Sequence, residues 1–268
     1  MRSSEHVEAS GSAAEFLTQV YAVADAEFHK LRHDPLELLM RAAQPLLWLL
    51  IFGNVMAQVR GLTAGSMSYL DFLAPGILAQ SILFAAIFYG ISAIWERDLG
   101  VVHRYLVSPA SRSAIIMGKQ ISASIRGLAQ ALIIYSISAV MRLSVDFNPL
   151  KIVGVIVFIA LGSALFSTLS LIIACIVRTR ERFMGIGQVL TMPIFFASNA
   201  IYPLDIMPSW LRALAMINPL TYEVDALRML MMKTEVSPGA LLVDFLVLFG
   251  VSALLLAIAT RLYPRMAA

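Results

Sequence analysis

Residues 72–95 read "FLAPGILAQSILFAAIFYGISAIW", 24 consecutive positions without a charged side chain. About 20 such residues cross the ~30 Å hydrocarbon core of a bilayer as a helix, so this stretch alone predicts a membrane span. The rest of the chain agrees. Of its 268 residues, 59% are hydrophobic and 14% charged, and the mean hydropathy is +0.81. A soluble domain is closer to half apolar and a quarter charged. Composition therefore excludes the soluble class and predicts an all-α, polytopic membrane protein.

Similar apolar runs on either side predict six transmembrane helices, at about 37–58, 71–95, 114–141, 152–177, from 184 into "NAIYPL", and 238–261. Ahead of them, residues 1–15 are small and polar with no apolar run before a cleavage site, which predicts a disordered tail and no signal peptide. Residues 16–34 predict an amphipathic helix. Phe16, Val20, Val23, Ala24, Phe28 and Leu31 recur at helical spacing beside Asp25, Glu27, Lys30 and Arg32. Such a helix fits the membrane interface or a soluble partner. Residues 35–262 then form the membrane domain, with Glu37 and Arg41 one turn apart at its start, placed to pair or to reach the headgroups.

Six spans put both termini on one side. The termini and loops of that side hold 12 lysines and arginines, the opposite loops 6. This bias predicts cytoplasmic termini. The net charge of +3 then reflects topology, and no nucleic-acid partner is expected. Between the fifth and sixth spans, residues 199–235 are too polar for a span and too apolar for a solvated loop. Pro203, Pro208 and Pro219 cut them into short helix-like pieces that start with proline in the first turn. We read these as re-entrant or interfacial helices capping the outer face, with Trp210 and Tyr222 at headgroup level.

Catalytic chemistry is not legible. No HExxH pattern occurs, and His6, His29, His33 and His103 fall in the tail, the amphipathic helix and a loop, so no metal site is expected. "SAIIMGKQ" at 113–120 lacks the first glycine and the final Ser/Thr of a phosphate-binding loop. Cys175, the one cysteine, sits in an apolar run and reads as packing. Asp71, Glu223, Asp225 and Asp244 all map near the outer interface, leaving no acid at mid-membrane for a proton-driven carrier. Arg126 is the one charge well inside a span, open to snorkelling or to contact with an anionic substrate. Seven of the 14 methionines lie between 184 and 232, beside Phe195 and Phe196. They suit varied apolar ligands, or simply fill space.

Two segments carry a resemblance. "WERDLGVVHRYLVSPASR" at 95–112 and "NAIYPLDIMPSWLRALAMINPLTYEVDALR" at 199–228 resemble the type-2 ABC transporter permease family, the membrane halves of bacterial ABC exporters. The likeness covers about residues 15–262. It implies that the loop at 96–112 is a coupling helix docking on a separate ATPase subunit, through Glu96, Arg97, Asp98, Gly100, Val102, His103, Arg104, Tyr105 and Leu106, with Pro109 ending the helix. Leu99, Val101 and His103 depart from the family's usual Arg or Lys, Thr and Glu. Tyr202, Pro203, Pro208, Trp210, Asn218, Pro219 and Tyr222 match the family's outer hairpin.

The resemblance further implies two permease copies, identical or paralogous, with two ATPase subunits that carry ATP and magnesium, and no cofactor in this chain. The outer hairpin is similar to that of drug- and lipid-exporting members of the daunorubicin-resistance type. Export of polysaccharide or glycolipid stays open, as does a secondary carrier without ATPase. The expected substrate path comprises Phe84, Phe88, Tyr89, Met192, Phe195, Phe196 and Asn199. The expected setting is a bacterial plasma membrane, with lipid as the surrounding partner.

Overall fold

The computed structural model describes residues 16, 18–22, 25, 43–59, 67–107, 111–177 and 179–266. The tail 1–15, Phe28, Leu31, Glu37, Arg41 and Pro109 lie outside them. Among the described residues the chain is helical, and the one extended pairing is the isolated bridge between Val145 and Met232. From residue 43 onward, ten helices follow in order among the described residues: α1 (Ala43–Met56, π-helical over Trp48–Gly53), α2 (Tyr69–Phe88), α3 (Gly90–Asp98), α4 (Val101–Val107), α5 (Arg112–Val140), α6 (Pro149–Ile176), α7 (Arg180–Phe196), α8 (Ser209–Ile217), α9 (Pro219–Met231) and α10 (Pro238–Leu262).

Local chemistry explains where they begin. The side chains of Ser68, Ser111, Asn148, Thr179 and Asn218 each accept a hydrogen bond from a backbone N–H of the first turn that follows. Pro149, Pro219 and Pro238 occupy first-turn positions, where the missing N–H costs nothing. Asn218 serves twice: its Oδ1 caps α9, while its Nδ2 donates to the carbonyls of Ile194 and Ala197 at 2.6 and 3.0 Å, beside Pro193 in α7.

Among the described residues, four stretches are long and apolar enough to cross a membrane: α2 with α3, α5, α6 and α10. The expected fifth span corresponds to α7, which is shorter at 17 residues, and the described part of the expected first span to α1. The α2–α3 span is central, packed on α5, α6, α7 and α9, whereas α10 leaves Leu242, Leu246, Phe249 and Leu254 exposed along one flank. Small residues permit the close approaches. Gly76 of α2 lies against the backbone of Ala200, and Gly127 of α5 against Ser163 of α6.

α2 and α3 form one rod with a break. Ser170 of α6 inserts its hydroxyl there, accepting from Gly90 N–H at 3.0 Å and donating to the Ile87 carbonyl. A side chain entering the helical ladder kinks it.

The core divides into two clusters. One, toward the end of the bundle that carries α8 and α9, includes Leu73, Ile77, Ile134, Phe158, Phe195 and Leu227. The other, toward the α4 end, includes Ile94, Val102, Ile115, Phe183, Tyr263 and Met266. Gln19 Oε1 accepts from Ser111 N–H at 3.0 Å, so the described residues of the amphipathic segment, helical with Val20 buried, reach the same end as Tyr263 and Met266. Both terminal segments thus lie at the α4 end of the bundle.

Candidate functional site

At the α4 end, residues 96–107 divide into an inward and an outward set. Gly100 has φ +71, the left-handed region that favours glycine, and lets α3 turn into α4. Glu96 and Val102, expected to face a partner, are turned into the bundle instead, 6% and 1% exposed. Glu96 Oε2 lies 2.5 Å from Lys119 Nζ of α5. Val102 joins the apolar cluster with Ile94 and Ile115. Tyr105 is half-buried, with Lys119 Nζ 6.0 Å from its ring centre. Val102 and Tyr105 hold α4 to the bundle itself, because a short helix bearing one apolar face is stable only when that face is covered. The side chains of His103, Arg104 and Leu106 lie outside the described residues.

What this end offers to solvent is a different set. Trp95, Leu99 and Val107 are exposed, Val107 by 86%. Asp98 carries an ion pair to Arg180 at 2.9 Å and one to Arg97 at 3.3 Å, while Arg97 Nη1 also donates to the Val177 carbonyl at 3.2 Å. The Arg180 guanidinium lies 3.6 Å from the Trp95 ring centre. Leu99 looked in the sequence like a departure from a pattern, and here it belongs to the exposed apolar set. Arg180 was counted only as loop charge.

At the opposite end, the hairpin 199–235 is built largely on side chain-to-backbone hydrogen bonds. Tyr202 Oη donates to the Phe196 carbonyl, Tyr222 Oη to the Met216 carbonyl at 2.6 Å, and Tyr69 Oη to the Ile201 carbonyl at 3.0 Å. Pro203 and Pro208 flank a 3-10 turn over Leu204–Ile206, and Trp210 of α8 is exposed. The loop from α5 to α6 is laced to the end of α9: Asp146 N–H donates to the Met231 carbonyl at 2.8 Å and Lys233 N–H to the Ser144 carbonyl at 3.0 Å. Asp71 Oδ1 accepts from Ser144 N–H at 2.8 Å and ties α2 to that loop.

The expected substrate path does not hold together. Phe195 is wholly buried, edge-on to Trp48 with ring centres 5.7 Å apart. Asn199 is buried and donates to Asp225 Oδ1 at 2.5 Å, and Tyr89 is buried with the Arg126 guanidinium 4.6 Å from its ring centre. These three are interior packing of one chain. Phe84 and Phe88 are half-buried, and Met192 and Phe196 are exposed.

The expectation that all four acids map near the outer interface also fails, for Glu223. It is 0% exposed, and a Cβ at Gly162, halfway along α6, would fall on its carboxylate. Neither oxygen has a hydrogen-bond partner among the described residues. Nε and Nη1 of Arg126 are likewise without one. The first turn of α9 folds inward from the hairpin, so a residue near the loop in sequence lies deep in space. No group of acids, histidines and cysteine suited to a metal occurs among the described residues.

A family model described as ABC-2 type transporter matches residues 18–232. A putative transport permease, ycf38, of Cyanophora paradoxa is 29% identical over 218 residues, covering 80% of this chain and 74% of that protein. Similar too are the daunorubicin resistance ABC transporter permease protein DrrB1 of Streptomyces coeruleorubidus, at 24% over 75% of this chain and 70% of its own, and nodulation protein J of Rhizobium leguminosarum bv. trifolii, at 26% over 82% and 85%.

Proposed function

The chain belongs to the ABC-2 type transporter family, and from that premise we propose that it is the membrane subunit of an ATP-driven exporter of hydrophobic drugs or lipids. In this reading six spans cross a bacterial plasma membrane, both termini and α4 face the cytoplasm, and two permease copies pair with two ATPase subunits that bind ATP and magnesium. Hydrolysis belongs to the partner; this chain is a transport permease.

The observation that carries the proposal is the α4 end itself. A seven-residue helix is fastened inward by Val102 and Tyr105, the Glu96–Lys119 pair ties α3 before it to α5, and Trp95, Leu99 and Val107 stand exposed at the same end as the Asp98–Arg180 pair. Apolar anchors rimmed by charge suit a stable interface with a soluble protein. A helix held rigidly from behind passes a partner's displacement to the spans. Drug cargo is supported by the daunorubicin-resistance relative; polysaccharide or glycolipid remains the alternative cargo. The buried Glu223 favours a second reading, an ion-coupled carrier, since an acid at membrane depth marks such pathways.

The test is co-expression with the ATPase encoded beside the gene, followed by reconstitution in lipid vesicles. The proposal expects a stable complex whose ATPase is stimulated by apolar drugs or lipids, and loss of the ATPase subunit on Leu99→Glu with Val107→Glu. Stimulation by glycolipids alone would transfer the cargo to the alternative. Transport that persists without ATPase and stops with a protonophore would overturn the exporter in favour of the carrier.

A further inference from the structure

A cavity of about 300 Å³ opens between α9 and α10 at the hairpin end, lined in part by Met67, Asp225, Arg228, Met229, Glu235 and Asp244. That volume is at the lower end of small-molecule clefts. Its electrostatics are one-sided. Arg228, the single cation in the lining among the described residues, is fully engaged: Nη1 to Asp225 Oδ1 at 3.2 Å, Nη2 to the Asn199 carbonyl at 2.8 Å, Nε to the Phe72 carbonyl at 3.4 Å, with the Phe72 ring centre 3.9 Å from its guanidinium carbon. Asp225 is thereby neutralised. Lys151, near the rim, is turned to the Met232 and Thr234 carbonyls and to Asp146.

Asp244 has no such compensation among the described residues. It projects from α10 into the cavity, is 5% exposed, and its Oδ2 has no hydrogen-bond partner among the described residues. Glu235, exposed, adds to Asp244 a second carboxylate of the lining besides the paired Asp225. A buried polar oxygen without a partner is costly, and a ligand that donates positive charge there relieves the cost. An anionic headgroup would meet the two carboxylates and find Arg228 already occupied. A bare metal ion would need a tighter cluster of ligands than the described residues provide. Met67 and Met229 supply polarisable apolar walls.

We propose that this cavity binds an organic cation with an apolar body, its charge against Asp244 and its rings or chain against Met67 and Met229. A lipid amine headgroup and a free amine or quaternary drug share this chemistry. Binding is read on the permease alone, so the inference succeeds or fails independently of the cargo and of ATPase coupling.

The test is fluorescence titration of ethidium against the purified full chain in phosphatidylglycerol nanodiscs, with empty discs subtracted. Saturable binding is expected, weakened at least ten-fold by Asp244→Asn and preserved by Asp244→Glu. The uncharged parent ring, phenanthridine, is expected not to compete. Ala240→Trp at the exposed rim fills the cavity without touching Asp244, and it too should abolish binding, which covers the case of a misfolded Asp244→Asn. Doping the discs with phosphatidylethanolamine separates the sources: weaker ethidium binding assigns the site to the lipid amine, unchanged binding to a free cation. Equal ethidium affinity in wild type, Asp244→Asn and Ala240→Trp, or equal competition by phenanthridine, would overturn the proposal.

Discussion

Glu96 at the end of α3 and Lys119 in the first half of α5 form a buried ion pair, Oε2 to Nζ 2.5 Å, that links the central rod to the helix after the α4 loop. Breaking a buried ion pair by removing one member costs about 3–5 kcal/mol. Lys119→Met should lower the unfolding free energy by that order. The double variant Glu96→Gln, Lys119→Met should recover most of the loss. Denaturant unfolding in detergent micelles reads both; a double variant no more stable than Lys119→Met would show that the ion pair is not what the single variant lost.

Gly162 and Glu223 are matched in the same sense. Adding a methyl at residue 162 forces the Glu223 carboxylate to move within a packed interface, and overpacking of this kind costs about 1–3 kcal/mol. Gly162→Ala should therefore melt earlier than wild type. Adding Glu223→Ala should restore the melting temperature by returning the space.

The Phe195 ring is sealed within the core beside Trp48 and Phe196. Phe195→Ala is expected to reduce stability by about 3–5 kcal/mol, with any change in cargo preference following from misfolding. Met192→Ala, at an exposed position, should leave the unfolding midpoint within experimental scatter.

Asp146 lies outside the spans, and its hydrogen bond to Lys151, aided by the Asn148 N–H, holds its carboxyl below the ordinary value of 3.8. A depressed folded value means that the interaction's contribution is complete above pH ~4 and fades as pH falls through the folded value. Lys151→Met should move the Asp146 titration up toward 3.8, as read from its side-chain carbonyl resonance. It should also loosen hydrogen exchange in the 141–148 loop at neutral pH, and the difference from wild type should shrink in acid.

How much was legible follows from what each signal measures. Apolar runs and proline spacing located α2, α5, α6 and α10, and the pieces α8 and α9, because length, charge and the missing N–H act locally. Facing is not local. Val102 and Leu99 are both apolar residues of one loop, yet one packs inward and the other is exposed, and only the turn at Gly100 decides which. Lys119 looked like loop charge because its partner is 23 positions away. Glu223 looked superficial because a re-entrant helix carries sequence neighbours of a loop into the interior. Phe195 and Asn199 were read as conduit because aromatic and polar residues do line conduits, but they also build cores, and composition does not separate the two.

The hydroxyl of Ser170 sits where α2 becomes α3, bonded to both sides of the break. The longest rod among the described residues is therefore spliced through its neighbour. A push delivered at α4 cannot travel up that rod as through a stiff piston, since the joint gives way sideways unless α6 moves with it. α6 is accordingly geared into every displacement of α3. An alanine at residue 170 would disengage that gear while leaving both ends of the machine intact.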